Sequence, residues 1–369
     1  MSDENEDTTS AGTASVTGSS EPGSAAEAGP ESTAKADAGS AAEADAEPAA
    51  GTASGTETGT AAEPATDTDR PVGESTGTAR TQEFDADGPL ELDVGVTIGR
   101  VELVLDRVSG ASVELRHDAG EQPPWVSGVS NLLSWVGERF GDQLGVDPSG
   151  SAAEAVQQSR IEKTGNRLVV RAPKAWQLRN VPLSVKVHAP SGSHVEVRAG
   201  AADVTVTGSA GRADILTGSG QVVLEQADGS AIVRTGTGGV KLGPTLAGLQ
   251  LRTGSGSVEA SSVAGSATLA TGTGDVWLGA VAGEVMARTG SGDLSVADAA
   301  SGSLELITGS GEVRVGIRGG VAAEVELASA AGRVSSELKV SDVPPEAGVA
   351  LRVRARTGTG NAVVTRAAG

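Results

Sequence analysis

The sequence contains one stretch that matches a catalytic pattern, Gly-x-Ser-x-Gly, at Gly73-Glu74-Ser75-Thr76-Gly77. In hydrolases with this pattern the serine is the nucleophile, and it lies on a sharp turn between a strand and a helix. The residues around this match are mostly Gly, Ser, Thr, Ala and Glu, which predict neither element. We therefore interpret the match as a coincidence and predict that the protein is not an enzyme.

Metal binding is the second kind of chemistry that the residues suggest. Acidic side chains recur 18 or 19 residues apart, at Asp275, Asp293 and Glu312, and calcium-binding β-rolls use such a period. A calcium ion needs about six to eight oxygen ligands, which the other copies of the repeat do not supply. The three histidines show no His-x-x-x-His spacing, and cysteine is absent. We predict no metal site and no cofactor.

The first 80 residues differ from the rest of the chain in composition. They contain 16 acids and three bases, so they hold −13 of the net charge of −20. Their apolar side chains larger than alanine are only Met1, Val16 and Val72. Such a segment cannot bury enough apolar surface to offset the entropy lost on ordering. We predict a disordered acidic tail over residues 1–82.

Composition also limits the partners and the location of the protein. No stretch approaches the roughly 18 apolar residues of a transmembrane helix. The first residues, MSDENEDTTS, are acidic and no apolar segment follows, so we predict no signal peptide and a cytoplasmic location. Nonclassical export and peripheral membrane association stay open. Nucleic acid is not an expected partner, because the chain carries a net charge of −20.

A four-residue motif repeats through the second half of the chain. The motif, Thr-Gly-Ser/Thr-Gly, begins at positions 18 or 19 residues apart: Thr217, Thr235, Thr253, Thr271, Thr289 and Thr308. Another copy lies at 357–360, after a less regular stretch. A fixed period of this length is typical of an architecture in which each unit packs on its neighbours.

Each repeat divides into two halves of nine residues. Apolar residues two positions apart open each half, as in Val222 and Leu224, and glycine punctuates it. This alternation predicts short strands that end in turns. The strands bury their apolar side by stacking, so we predict an all-β fold, a right-handed parallel β-solenoid (β-helix) with 18-residue coils. The motif threonines would stack as a ladder at one corner.

Residues 83–194 show a less regular β pattern than the repeats at 195–369. They contain an insertion, at about 123–158, in which apolar residues recur at the spacing of an amphipathic helix. Its aromatic residues are Trp125, Trp135 and Phe140. We expect this helix to cap the solenoid, because exposed strand edges must be covered. The alternative is a docking helix for a partner or a membrane surface.

Three stretches, taken in order, resemble the bacterial putative-adhesin family of β-strand-repeat proteins. They are ELDVGVTIGRVELVLDRVSGASVELR, RLVVRAPK and VKVHAPSGSHVEVRAGAADVTVTG, and TGSG repeats follow the last. The segment SWVGERFGDQLGVD is similar to an insertion of actinobacterial members. The resemblance spans about 84–369. It implies a right-handed parallel β-helix with an adhesion or scaffolding role, in a domain of unknown function without established catalytic residues.

Strict alternation predicts which side chains of the solenoid face solvent. One outward row contains Val223, Lys241, Trp277 and Arg314. An outward tryptophan in mid-strand is a good anchor for recognition, where a few residues supply most of the binding energy. We predict that this row is a binding face for a protein or a polysaccharide. The alternative is that another segment or subunit covers Trp277.

The preferred interpretation is a non-enzymatic binding or scaffolding protein that presents a rigid solenoid face. One alternative is a self-assembling rod, a homo-oligomer whose coils stack end to end through the nearly intact repeat at 358–364. Another is a polysaccharide-active β-helix enzyme, which would need clustered carboxylates in a groove. Apart from the helical insertion, the sequence shows no long loop that would supply them.

Overall fold

Alternating apolar and polar residues form strands throughout the part of the chain that the computed structural model describes, which is residues 75–76, 79–118, 148–339 and 348–368. These residues all belong to the unit Thr66–Gly369. The helices among them are α1 (Pro148–Gln158) and a short 3-10 helix (Trp176–Leu178). All the strands among them join one mixed sheet.

The strands follow one another in chain order as β1 (Ser75–Thr76), β2 (Ala79–Phe84), β3 (Glu91–Arg107), β4 (Ala111–His117), β5 (Arg160–Thr164), β6 (Arg167–Arg171), β7 (Leu183–Pro190), β8 (His194–Ala210), β9 (Arg212–Ser219), β10 (Val222–Ala227), β11 (Ala231–Thr237), β12 (Val240–Thr245), β13 (Leu249–Ser255), β14 (Val258–Val263), β15 (Ala267–Thr273), β16 (Val276–Ser291), β17 (Leu294–Ser310), β18 (Val313–Ile317), β19 (Ala323–Ala331), β20 (Val334–Ser336), β21 (Leu351–Thr359) and β22 (Ala362–Arg366).

From β8 onward the strands pair in parallel with strands of the neighbouring coils. Val222 of β10 lies beside Val240 of β12. Val233 of β11 lies between Ile215 of β9 and Leu251 of β13. The paired positions are 18 residues apart, which is the period of the sequence repeat. Equivalent residues therefore stack, and the fold is predominantly β and solenoid-like.

Stacking places the inward residues of successive coils in one continuous core. Ile215, Val233 and Leu251 are all fully buried. The predicted threonine ladder is present, since Thr253 is buried and lies beside the motif threonines of both neighbouring coils. Its Oγ1 donates a hydrogen bond to the Ser255 carbonyl at 3.1 Å, which satisfies a polar group that the core would otherwise leave unpaired.

Glycine is required at the corner that follows each motif threonine. Gly238 has a φ of +123°. A Cβ atom there would lie 2.0 Å from the carbonyl oxygen of Gly220 in the preceding coil. Any side chain at this position would strain the backbone and push the two coils apart.

The amino-terminal end of the solenoid differs from the predicted parallel coils, because antiparallel strands close it. Strand β4 pairs antiparallel with β2 and with β7. Helix α1 packs against β2 and β4 and buries Ala155 and Val156. The Arg80 guanidinium donates a hydrogen bond to the Ser159 carbonyl at 2.9 Å, just after this helix. Helix α1 thus packs on this end of the sheet, where β1 pairs with the first two residues of β2.

Part of the segment that we predicted as tail, residues 1–82, belongs to this end of the sheet. Strand β2 begins at Ala79 and pairs along its length with β4. Gln82 and Phe84 are buried there. Composition alone misses such a strand, because its backbone hydrogen bonds to β4 do not depend on apolar side chains. Residues 1–74, 77 and 78 of the predicted tail lie outside the described residues.

The predicted helical insertion is described only in its last part. Helix α1 falls within the predicted range of about 123–158 and packs against the amino-terminal strands. The aromatic residues of the predicted docking helix, Trp125, Trp135 and Phe140, lie outside the described residues.

The carboxyl-terminal coils are stacked out of sequence order. Val353 of β21 lies between Leu304 of β17 and Val325 of β19, although β19 precedes β21 in the chain. The same holds for β22, which lies between β18 and β20. The repeat at 358–364 is therefore not the open end that we expected for a rod. The outermost coil is β19–β20, where Val325 and Val334 are 36% and 49% exposed.

Candidate functional site

The predicted binding residues lie in one outward row that crosses neighbouring coils. The members of the row pair in register from strand to strand: Thr205, Val223, Lys241, Glu259, Trp277, Ser295 and Arg314. We call this row, with the residues two positions further along each strand, the groove face. The register brings the predicted Val223, Lys241, Trp277 and Arg314 onto this face, and their role in binding stays a prediction.

An open groove of about 380 Å³ occupies the amino-terminal part of the groove face. The outward residues that line it come from four successive coils: Thr205, Thr207, Val223, Glu225, Lys241, Gly243, Glu259 and Ser261. Hydroxyl, amine and carboxylate groups thus lie beside a mainly apolar surface. Such a mixture suits a ligand with both polar and apolar faces.

The charges of the groove are partly paired within the protein. Lys241 Nζ lies 3.5 Å from Glu259 Oε2, and both side chains are more than half exposed. The Gly208 amide donates a hydrogen bond to Glu225 Oε2 at 2.8 Å. The weak, exposed Lys241–Glu259 pair leaves both groups available to a ligand.

Trp277 lies one coil beyond the last strand that lines the groove. It is 42% exposed, as alternation along the strand predicts. Its ring extends along the strand over Gly279, because a Cβ atom at Gly279 would lie 3.2 Å from Trp277 Cη2. The glycine therefore leaves the space that the ring occupies, and the indole forms an aromatic platform on the groove face.

Arg314 lies two coils beyond Trp277 on the same row. Its guanidinium donates a hydrogen bond to Glu312 Oε1 at 2.6 Å. This pair lies away from the groove, and the register of the row continues beyond Arg314 to Val363 of β22. Arg314 therefore belongs to the groove face but not to the groove.

The recurring acids at the coil corner bind the backbone. Asp275 Oδ1 accepts a hydrogen bond from the Asp293 amide at 2.8 Å, and Asp293 Oδ1 accepts one from the Glu312 amide at 2.7 Å. Asp203 accepts one from Gln221 in the same way. These carboxylates join successive coils at a corner. In the described part of the chain, no group of three or more His, Asp or Glu residues is arranged to hold a metal ion.

The remaining chemical candidates lie apart from the groove face. Ser75 lies in the two-residue strand β1, which pairs antiparallel with β2, so the catalytic pattern is not followed by a helix. His188 Nδ1 lies 3.9 Å from Asp106 Oδ1 at the edge of the amino-terminal coils. Neither residue is near Trp277 in the stacking order of the coils.

Sequence reasoning did not single out Trp176. This residue begins the 3-10 helix and is 76% exposed, more than Trp277. It lies outside the repeats, where no period indicates which side chains point outward. Its isolation from the groove face makes it a useful reference for experiments on Trp277.

None of the described helices is long and apolar enough to cross a membrane.

The fold and the groove face define a β-solenoid that presents a ladder of polar, charged and aromatic side chains. The chain belongs to the Toastrack DUF4097 family, whose model matches residues 138–348. This membership confirms the resemblance to a family of domains of unknown function, whereas the actinobacterial type stays a prediction. A comparison with curated proteins found no match.

This chain is similar to several solved structures of proteins described as putative adhesins or cell adhesion proteins. A putative adhesin from Bacteroides fragilis is 12% identical over 79% of this chain and 98% of its own, with a TM-score of 0.37. A putative adhesin from Parabacteroides merdae is 11% identical over 79% and 97%, with a TM-score of 0.33. A putative cell adhesion protein from Clostridium sporogenes is 10% identical over 80% and 100%, with a TM-score of 0.17.

Proposed function

We propose that the protein is a non-enzymatic, adhesin-like binding protein and that its groove face binds a polysaccharide. The observation that carries this proposal is Trp277, an exposed indole whose ring extends along the strand one coil beyond the groove. A sugar ring has apolar faces and polar edges, so an indole face next to hydroxyl, amine and carboxylate groups suits it. A protein surface that covers the same tryptophan is the alternative partner.

The direction of the groove face supports an extended ligand. Its residues repeat once per coil, at the strand spacing of about 4.8 Å, along the axis on which the coils stack. A linear polymer that lies along this axis would contact the groove and Trp277 together. Contacts spread over several coils add up even when each one is weak.

The proposal includes a right-handed solenoid with 18-residue coils. Parallel connections between strands of one sheet are right-handed in nearly all known proteins. The parallel partners that lie 18 residues apart, such as Val222 and Val240, support the coil length. A regular coil keeps the rows straight, and a straight row of groups is what an adhesin-like surface needs.

Affinity electrophoresis of the full-length chain tests the groove face. Native gels that contain mannan, galactan or hydroxyethyl cellulose serve as neutral probes. We expect at least one probe to retard the protein and W277A to weaken that retardation about tenfold, as for a central aromatic anchor. The matched control is W176A, which removes a more exposed tryptophan and should leave the retardation unchanged. Equal effects of the two variants, or no retardation in any gel, would overturn the proposal.

The open edge of β19 supports a second candidate function, self-association. Among the described residues, β19 pairs only with β21, and Val325, in register with the buried Val353, is 36% exposed. Because α1 and antiparallel strands close the other end, this edge would join two copies instead of a long rod. Light scattering behind size-exclusion chromatography, over a hundredfold concentration range, should give a mass that rises to a dimer. V325K should abolish that rise, and a constant monomer mass would reject the candidate.

A further inference from the structure

A second set of outward residues lies on the other strands of each coil, β9, β11, β13, β15 and the second half of β16. We call one of its rows the arginine row, whose members pair in register: Arg198, Leu216, Arg234, Arg252, Ala270, Arg288 and Ile307. Two positions earlier on the same strands runs a companion row: Glu196, Asp214, Ile232, Gln250, Thr268, Met286 and Glu305. The two rows lie side by side on one face.

On either side of the centre of these rows an acid of the companion row neutralises an arginine. Arg198 Nη2 lies 2.7 Å from Glu196 Oε1. Arg288 Nη2 lies 3.7 Å from Glu305 Oε1. The parts of the face that flank its centre therefore present paired charges.

The centre of the face has no such pairing. The companions of Arg234 and Arg252 on their own strands are Ile232 and Gln250, and no described carboxylate forms an ion pair with either arginine. The two exposed guanidinium groups come from register partners, at a strand spacing of about 4.8 Å. Like charges placed directly opposite one another on a sheet are destabilising. Two adjacent unpaired cations in a chain of net charge −20 thus form a local site for an anion.

A strip without side chains, which we call the channel, runs beside these two arginines along the stacking axis. Its floor is the exposed glycine row of the motif: Gly218, Gly236, Gly254 and Gly272. Each of these glycines would, with a Cβ atom, approach a carbonyl oxygen of the preceding coil within 2.7 Å, so no larger residue can fill the channel. The far side of the channel is a ladder of hydroxyl residues in register: Ser219, Thr237, Ser255 and Thr273.

We propose that this channel is a second binding site, in which Arg234 and Arg252 bind the carboxylates of an acidic polysaccharide, a polyuronate. The guanidinium fork matches a carboxylate with two parallel hydrogen bonds, which a lysine could not provide. The hydroxyl ladder supplies partners for sugar hydroxyls, and Leu216, 40% exposed on the same row, offers apolar contact. The site is separate from the groove face and does not depend on its function.

The same observations disfavour a nucleic acid in the channel. Binding to a phosphate backbone requires many cations, and single strands also need aromatic side chains on which the bases stack. The described rows of this face offer two unpaired arginines and no aromatic residue. A sugar polymer with spaced carboxylates fits better.

Isothermal titration calorimetry of the full-length chain with polygalacturonate tests the proposal. Methyl-esterified polygalacturonate has the same backbone without the charge and serves as the ligand control. We expect binding of the acid form alone, weakened by salt because the charges are exposed. The double variant R234Q/R252Q should lower the affinity at least tenfold. R198Q, which removes an arginine that Glu196 already neutralises, should change it less than twofold.

A second variant keeps both arginines. It therefore distinguishes an effect of charge pairing on binding from an effect of misfolding. Q250E places a carboxylate two residues before Arg252, as Glu196 stands two residues before Arg198. It should lower the affinity about fivefold without lowering the melting temperature. W277A should bind polygalacturonate like the wild type. A failure of the proposal for the groove face can therefore be distinguished from a failure of the proposal for the channel. The proposal is overturned if Q250E and R234Q/R252Q bind normally, if the methyl ester binds equally, or if polyphosphate binds more tightly than polygalacturonate.

Discussion

The inner coils and the outermost coil share one alternating pattern but differ in what covers them. Val233 and Leu251, in coils with a neighbour on each side, are completely buried. Val325 and Val334, in the coil β19–β20 with a described neighbour on one side only, are 36% and 49% exposed. In a stacked architecture the burial of a residue depends on the number of neighbouring coils as much as on its own position in a coil. Stability should therefore fall towards β19–β20.

The largest expected effect comes from a corner glycine of the inner coils. G238A adds a Cβ atom 2.0 Å from the Gly220 carbonyl oxygen at a φ of +123°. Backbone strain and the displaced coil should lower the free energy of unfolding by about 3–5 kcal/mol, measured by urea denaturation. The control is G320A, where φ is +83° but no atom lies within 4 Å of the added carbon. It should cost about 1–2 kcal/mol, and equal losses would contradict the steric argument.

Truncation of core residues compares the two regions directly. L251A leaves a cavity between two covering coils and should cost about 2–5 kcal/mol. V325A removes a side chain of the outermost coil that is already 36% exposed and should cost less than about 1 kcal/mol. Thermal and urea unfolding of both variants checks the difference. A similar loss for V325A would mean that the outermost coil is covered in solution.

A buried charge in β3 extends the comparison to the amino-terminal coils. Asp93 lies 2.5 Å from Arg171 Nη2 and 2.8 Å from Arg167 Nη2. Burial raises the pKa of the Asp93 carboxyl, but the hydrogen bonds and charges of Arg167 and Arg171 outweigh it, and the pKa is lowered. A lowered pKa stabilises the fold above the unfolded value of about 3.9. That stability disappears as the pH falls through the folded pKa.

D93N should accordingly destabilise the protein by about 1–2 kcal/mol near pH 7, because the arginines lose a charged hydrogen-bond partner. The difference from the wild type should begin to shrink below about pH 3.9, where the carboxyl of the unfolded chain gains a proton, and should vanish as the pH falls through the lower pKa of the folded protein. Melting temperatures of D93N and the wild type between pH 3 and 7 measure this difference. E162Q, in a surface pair with Arg160 whose two side chains are at least half exposed, is the control and should show almost no change. A difference between D93N and the wild type that is constant with pH would exclude a role for the charge.

The smallest expected effect concerns the threonine ladder. T253V removes the hydrogen bond from Oγ1 to the Ser255 carbonyl inside a covered corner and should cost about 1 kcal/mol. S329A removes the hydrogen bond of the ladder residue in the outermost coil, which runs from Ser329 Oγ to the Gly360 carbonyl of the neighbouring coil. It should cost about half as much, since water can replace the bond there. Melting temperatures that rank the two variants in the opposite order would contradict the comparison.

The repeat in the sequence was enough to predict the inner coils and the outward row of the groove face. Residues one period apart stack on one another. The 18-residue spacing of Lys241, Glu259 and Trp277 was therefore enough to predict that they are neighbours. The groove itself was not predictable, because its depth depends on the small residues Gly243 and Ser261 and on how far the bordering side chains extend. The unpaired state of Arg234 and Arg252 required the distances to every described acid on the face.

The sequence alone determined the period, the inward and outward sides of each strand, and the corners that only glycine can form. These properties are local or repeat at a fixed interval, so they can be read from the amino-acid sequence. Only the tertiary structure decided how the ends close. The antiparallel cap of β2 and β4 and the position of β21 between β17 and β19 depend on pairings between distant segments. Backbone hydrogen bonds make those pairings, and nearly any sequence can supply them.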